Sequence, residues 1–438
     1  MSADREEGVS SREALRVWAR VAVQSFGGPA GQISVIHRIV VDEKRWLSED
    51  RFLHALSYCM LLPGPEAQQL ATYIGWLLRG VRGGLVAGGL FILPGFLSIM
   101  ALSVLYAEYR ELGVVAGLFL GLKPAVMAVV FEALLRLKRR ALKGRFDILL
   151  AGLAFVAIFF FQIPFPIIII GAAVAGVLGR SAVGESFRTH GAHPDVAAQR
   201  PSLRTAGWTA LCWLAIWSVP FVILFVAVDP QHVFVLEAVF FSKAAVVTFG
   251  GAYAVLSYVA QQVVETYQWL APGEMLDGLG MAETTPGPLI QVVQFVGFMG
   301  AYRHSVGLDP LMAGVIGAIV TTWVTFAPCF LFIFVGAPFV EYLREKRALN
   351  AALRGITAAV VGVVLNLGIW FALHTLFGDL ESRDVGPARV LVPTFGSLNW
   401  TAVFIGTGAV LALFKWKWGM MRTLVGAAIA GVVLNLAF

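Results

Sequence analysis

Two Pro-Gly-Pro triplets, Pro63-Gly64-Pro65 and Pro286-Gly287-Pro288, and two Phe-Gly-Gly triplets, Phe26-Gly27-Gly28 and Phe249-Gly250-Gly251, are the stretches of this chain best suited to chemistry. In Pro-Gly-Pro the first proline ends a helix, the glycine permits the turn, and the second proline suits the first position of a following helix. The opening N–H groups of that helix have no partners within it and carry a partial positive charge, which makes an anion site. The paired glycines of Phe-Gly-Gly let backbone approach a ligand closely. One such motif alone is more simply read as a packing glycine or a proline kink. Four in register favour a site. Fixed positive charge for a dianion is offered by Arg20 and Lys243, each six residues before its Phe-Gly-Gly, and by Lys123 and Arg354 inside apolar runs. Basic residues within a membrane face a cavity or a partner, or else snorkel to the interface. Glu66, Glu283 and Glu132 are candidate carriers of a coupling proton, against the ordinary roles of helix cap for Glu66 and hydrogen-bond acceptor for the others. Thr284 and Thr285 can donate to an oxyanion or to their own backbone. His37, beside Arg38, reads as a satisfied polar residue near the surface. Trp46 and Trp269 read as interfacial anchors.

The elements that must hold these residues are duplicated. Phe26 to Pro65 returns as Phe249 to Pro288 at a constant spacing of 223 positions and without an insertion, with the glycines and prolines of the four triplets in register. Each copy has two segments broken by glycine or proline, each half-segment too short to cross a bilayer of ~30 Å, which takes ~20 helical residues. They read as broken or re-entrant helices. Conventional spans follow at Gly83 to Ala107, Leu112 to Leu135 and Phe146 to Leu178, the last bent at Pro164-Phe-Pro166; a polar linker, Gly179 to Arg204, closes the half. The second half repeats the order, with spans at Leu311 to Pro338, Leu349 to Phe377, Trp400 to Phe414 and Met420 to Ala437. Thr205 to Val228 has no counterpart. An odd linking helix between halves that each cross an even number of times inverts the second half. Loop charges agree: Arg136 to Arg145 holds six basic residues and no acid, whereas Asp379 to Arg389 is slightly acidic; Glu108 to Glu111 is slightly acidic, whereas Glu341 to Arg347 is slightly basic. The expected fold is thus an all-α polytopic membrane protein of two inverted-topology repeats, residues 1–180 and 233–438. A connecting segment, 181–232, carries the unpaired transmembrane helix. The N-terminus lies in the cytoplasm and the C-terminus in the periplasm.

Composition supports the membrane reading: 438 residues, 58% hydrophobic and 14% charged, with a mean hydropathy of +0.78. No cleavable signal peptide is visible at the start. The net charge of +6 sits in short loops, where membrane orientation explains it, so nucleic acid is excluded as a partner. Cys59, Cys212 and Cys329 stand apart in apolar surroundings and read as packing residues. With no cofactor fingerprint, no metal-like cysteine or histidine spacing and no soluble catalytic domain, the reading is a transporter without cofactor or metal, not an enzyme.

Phe26-Gly-Gly-Pro29, Trp46-Leu47, Leu62-Pro-Gly-Pro65, Gly75 and Arg79-Gly80, with Phe249-Gly-Gly-Ala-Tyr253, Thr284-Thr-Pro-Gly-Pro-Leu289 and Gln294-Phe-Val-Gly297, resemble the chromate ion transporter (CHR) family. The resemblance covers both halves, as in the long, two-domain members. It implies a multi-pass protein of a bacterial inner membrane that exports chromate and confers resistance, with sulfate as a competing analogue. Carried over, the family's Phe-Gly-Gly and Pro-Gly-Pro positions fall on the four triplets named above. Glu66 departs from the pattern, where a small or amide residue is expected. A carrier of sulfate or a small organic anion is the alternative substrate reading, and a homodimer is compatible with either.

Overall fold

The computed structural model describes residues 9–179, 202–249, 251–305, 307–339 and 347–437. Gly250, the start of the chain up to Gly8, positions 180–201 of the polar linker and the charged loop at 341–346 lie outside the described residues. The first half runs α1 (Ser11–Gln24), α2 (Gly28–His37), α3 (Glu49–Cys59), α4 (Glu66–Tyr109), α5 (Gly113–Ala141), α6 (Arg145–Phe159) and α7 (Phe165–Leu178). Then come α8 (Leu203–Ala227), α9 (Val233–Val247), α10 (Ala252–Gln261), α11 (Pro272–Thr284), α12 (Val292–Arg303), α13 (Pro310–Gly336), α14 (Arg347–Leu376), α15 (Trp400–Val410) and α16 (Met420–Ala437). From α9 onward the order of the first half repeats, except that α4 is drawn as one helix through a sharp break at Arg79 and Gly80, where the second half separates α12 from α13.

By length and composition α4, α5, α8, α13, α14 and α16 can each cross a membrane. This is an all-α polytopic membrane protein. One element lies outside that description. Between α14 and α15, β1 (Leu380–Val385) and β2 (Ala388–Pro393) pair antiparallel, Leu380 opposite Pro393, around a turn at Gly386. The charged residues of β1 give that stretch the look of a plain acidic loop, and the apolar run Val390-Leu391-Val392 is too short to announce a strand alone.

The two halves interlock. Helices α6 and α7 pack on α14 of the other half, and α15 and α16 pack on α5 in return. Small residues allow both crossings: a Cβ added to Gly121 of α5 would lie 2.0 Å from the carbonyl oxygen of Ala427, and one on Gly355 of α14 would lie 2.2 Å from that of Ala172. Backbones this close are the packing expected in lipid, where apolar side chains gain nothing by leaving the bilayer. α8 stands apart. It meets α13 through Trp213 stacked on Phe330, with ring centroids 5.4 Å apart, and leaves Val222, Ile223 and Val226 exposed.

Each pair of short helices turns the same way. The N–H groups of Trp46 and Trp269 donate to the carbonyls of Val40 and Val263 at 2.9 and 2.8 Å, after wide helical turns at Arg38–Glu43 and Gln262–Thr266. The two tryptophans differ in surroundings. Trp46 is half-buried, but Trp269 is 2% exposed, stacked on Tyr267 at 4.5 Å and pressed against Gly300. Its expected role as an interfacial anchor is therefore corrected to that of a core residue: Gly300 on α12 leaves a space that the indole fills.

Candidate functional site

The four chain breaks are joined in two pairs by an exchange between the halves. The N–H of Gly64 donates to the carbonyl of Thr248 at 2.7 Å, and the N–H of Gly287 donates to the carbonyl of Ser25 at 3.0 Å. Ser25 and Thr248 are themselves equivalent in the repeat and end α1 and α9. Their hydroxyls donate back to Val21 and Ala244, each at 2.6 Å, which holds the last turn closed while the carbonyl reaches across. Gln32 Nε2 adds a bond to the carbonyl of Gly287 at 2.6 Å.

Backbone geometry explains the residue types. Gly64 and Gly287 have φ of +127° and +108°, a region that side chains rarely enter. The turn at Gly287 also has no room, since an added Cβ would lie 2.9 Å from the Cα of Gly95 on α4. Opposite it, Gly64 faces Gln69 and Cys329 of α13. Each Pro-Gly-Pro turn is thus wedged against a long helix of the other half.

Two carboxyl groups face the starts of α2 and α10. Glu283, near the end of α11, is 1% exposed; Tyr253 donates its hydroxyl to Oε1, and Oε2 has no hydrogen-bond partner among the described residues. Oε2 lies 3.5 Å from where a Cβ on Gly28 would stand, at the first residue of α2. Glu66 opens α4, and its Oε1 lies 3.9 Å from the Cβ position of Gly251, which precedes α10. The two acids are not equivalent in the repeat, yet each faces the helix of the opposite half. Arg136 and Arg140, both at the basic end of α5, are the cations that bear electrostatically on Glu283 and Glu66 respectively.

The four predicted cations stand elsewhere. Arg20 is exposed and pairs with Glu43 at 2.7 Å, and Lys243 is exposed. Lys123 pairs with the buried Asp277 at 3.2 Å, which also accepts from Tyr106 at 2.8 Å. This pair lines a cavity of about 580 Å³ with Arg110 and Glu274, at the end of α11 away from Pro286. Arg354 makes two bonds to the buried Asp147, Nε to Oδ1 at 3.0 Å and the terminal nitrogen to Oδ2 at 2.9 Å. These last two ion pairs, Lys123–Asp277 and Arg354–Asp147, each join one half to the other. Thr284 and Thr285 donate to carbonyls of their own helix, Met281 among them. Glu132 pairs with Arg136 one turn along α5 at 3.3 Å, and His37 sits between Asp42 and Glu49 at 3.5 and 2.6 Å. Phe26 and Phe249 are half-buried beside their glycines, and Pro63, Pro65, Pro286 and Pro288 flank the turns they were expected to make.

Sequence reasoning missed Tyr253, Gln32, Asp277 and Asp147. Ser25 and Thr248 could have been found, as hydroxyl residues in register immediately before each Phe-Gly-Gly.

A polytopic helical protein whose broken segments meet between two interlocked halves has the architecture of a membrane carrier. The chromate transporter family matches residues 12–177 and 237–432. The chain belongs to that family. It is 34% identical over 346 residues to a chromate transport protein of Pseudomonas aeruginosa, covering 78% of this chain and 76% of that one. It is 26% identical over 426 residues to a chromate transport protein of Cupriavidus metallidurans, with 96% and 92% covered. A probable chromate transport protein of Synechococcus elongatus is 26% identical over 433 residues, with 97% and 95% covered. No solved structure matches the chain.

Proposed function

We propose that the chain is a secondary transporter that carries chromate out of a bacterial cell across the inner membrane and so confers resistance. The anion binds where the four breaks meet, held by the free N–H groups at the starts of α2, α10, α4 and the helix that opens at Leu289. The observation that carries this reading is the exchanged pair of hydrogen bonds, Gly64 to Thr248 and Gly287 to Ser25, which ties each Pro-Gly-Pro turn to the Phe-Gly-Gly break of the other half, while the Tyr253 hydroxyl of α10, 4.0 Å from the Cβ position of Gly28, links the two pairs. The site takes its positive charge from helix ends, because Lys123 and Arg354 are engaged with buried carboxylates and Arg20 and Lys243 are exposed.

Reciprocal contacts of this kind arise from a two-fold relation between the halves. With one unpaired span between them and opposite loop charges, that axis lies in the membrane plane and the repeats, 1–180 and 233–438, are inverted. The N-terminus is then cytoplasmic and the C-terminus periplasmic. Rocking one half against the other alternates access. The basic end of α5 faces the cytoplasm and draws anions toward the site. An inside-negative potential favours export, by ~2.3 kcal/mol per charge per 100 mV. Association of two copies leaves this mechanism unchanged, since every group in it comes from one chain.

The test is chromate flux in proteoliposomes under an imposed inside-negative potential, with and without excess sulfate. Flux that sulfate suppresses is expected. Sulfate flux with no chromate flux would move the substrate to the alternative, a sulfate carrier, and chromate recovered in reduced form would indicate an enzyme. A folded protein that moves neither anion overturns the reading.

A further inference from the structure

We propose that Glu283 holds the anion's place at the start of α2 in the empty carrier, so that an oxyanion binds only as this carboxylate takes up a proton. This rests on the site proposed above and adds its regulation.

The argument starts from what a helix start attracts. Any anion will do, and a carboxylate on a tether is at very high local concentration. The Glu283 carboxylate lies against Gly28 with one oxygen bonded by Tyr253 and the other without a partner among the described residues. A buried oxygen left unpaired is costly unless something else stabilises it, and the start of α2, whose first residue Gly28 lies beside this oxygen, is a source of positive potential. α2 brings no charged side chain of its own to this end, its first residues being Gly28, Pro29, Ala30, Gly31 and Gln32. Among the described residues the titratable or charged groups that act on Glu283 are Tyr253 of α10 and the Arg136–Glu132 pair of α5.

A tetrahedral dianion cannot share this place with a carboxylate, because two like charges in a dry site repel strongly. Protonation removes the repulsion and turns the competitor into a donor. The neutral carboxyl can give its O–H to an oxyanion oxygen, and Tyr253, no longer needed by a charged partner, can do the same. The step balances: one carboxylate, one proton and one dianion become a carboxylic acid with the dianion bound. Glu66 stands in the corresponding place against Gly251, supplied from a different point in its half.

The experiment is calorimetric titration of the purified full-length protein with chromate and with sulfate, from pH 6 to 9, in two buffers of different ionisation enthalpy. Wild type, Glu283→Gln, Glu66→Gln and Tyr253→Phe are compared. Wild type is expected to take up protons on binding and to lose affinity about tenfold per pH unit for each proton taken up. Glu283→Gln takes up one proton fewer, and at high pH it binds more tightly than wild type. Tyr253→Phe moves the pH dependence upward, because the charged carboxylate has lost a donor. If Glu283→Gln folds and keeps both the proton uptake and the pH slope of wild type, the inference is wrong. If Glu283→Gln does not fold, Tyr253→Phe decides, and an unmoved pH profile overturns it. If wild type binds neither oxyanion at any pH, the proposed function fails and this inference goes with it; binding with unaltered proton uptake refutes the inference alone.

Discussion

Gly64 and Gly287 hold equivalent turns, but replacing them with alanine should not cost the same. Both alanines would sit at φ values that only glycine adopts freely, at about 1–3 kcal/mol each. Their neighbours then separate them. At Gly64 the new methyl would meet Gln69 Nε2 at 2.7 Å and Cys329 Sγ at 3.0 Å, the first of which is the end of a flexible side chain. Gln69 can swing away and lose its bond to the carbonyl of Pro63, about 0.5–1.5 kcal/mol. Gly64→Ala should therefore destabilise by about 1.5–4.5 kcal/mol. At Gly287 the obstacle is the backbone of Gly95, with Cα at 2.9 Å and N at 3.1 Å, inside a long helix that cannot yield locally. Overpacking adds about 1–3 kcal/mol, and moving the turn weakens its bonds to Ser25 and Gln32, about 0.5–1.5 kcal/mol each. Gly287→Ala should reach about 3–9 kcal/mol and leave little folded protein. Heating the detergent-solubilised variants and counting what survives size-exclusion chromatography gives the ranking. Cys329→Ala should recover part of the loss in Gly64→Ala and none of it in Gly287→Ala. Equal stability of the two alanine variants, or rescue of the wrong one, would refute the wedge described between each turn and its opposing helix.

The remaining expectations concern the joins between the halves. Asp147 is buried with Arg354 as its two-pronged partner, so Arg354→Ala should destabilise by about 3–5 kcal/mol and Arg354→Lys should restore little, read by the same thermal assay. Gly121→Leu and Gly355→Leu should each abolish the folded monomer, whereas Gly152→Leu, with no heavy atom within 4 Å of its added Cβ, should leave expression and elution unchanged. Trp269→Ala should cost about 3–5 kcal/mol and Trp46→Ala clearly less, because only the first empties a closed space. In a cysteine-free background, a membrane-impermeant thiol reagent applied to intact cells should label Ser382→Cys and spare Lys138→Cys; labelling of both or neither would refute the inverted topology.

Much of this fold was legible in the sequence because lipid leaves few choices. Apolar length gave the spans, and proline or glycine gave each break, since exposed backbone groups have no solvent partner in a bilayer. The two short helices at Arg145–Phe159 and Phe165–Leu178 fall where Pro164 and Pro166 require a bend. The site was legible only where backbone makes it. Positive φ at Gly64 and Gly287 follows from residue type, but the partners of Lys123 and Arg354 do not, because Asp277 and Asp147 lie far along the chain and in the opposite half. A lone cation in an apolar run invites a ligand on paper. Here a carboxylate of the same chain takes that place. Trp269 shows the same limit, as its burial depends on Gly300, a contact without local signal.

The acids facing α2 and α10 bear on how the carrier can work. The backbone of the site is nearly symmetric, with matched turns, matched glycines and exchanged hydrogen bonds. The carboxylates are not: Glu283 ends a buried helix and has a tyrosine donor, while Glu66 begins a helix, is half-buried, and comes from a non-equivalent position. In an inverted repeat the two access states exchange the conformations of the halves, so a fully symmetric site would bind its anion equally well from both sides. Unequal acids break that equality. Net direction remains set by the gradients, because a carrier cannot alter an equilibrium, but on the proposed site and inversion the acids would determine on which side the anion is held more weakly at a given pH. Under the proposed competition, the side on which the carboxylate regains its charge is the side on which the anion leaves, and the proton leaves with it.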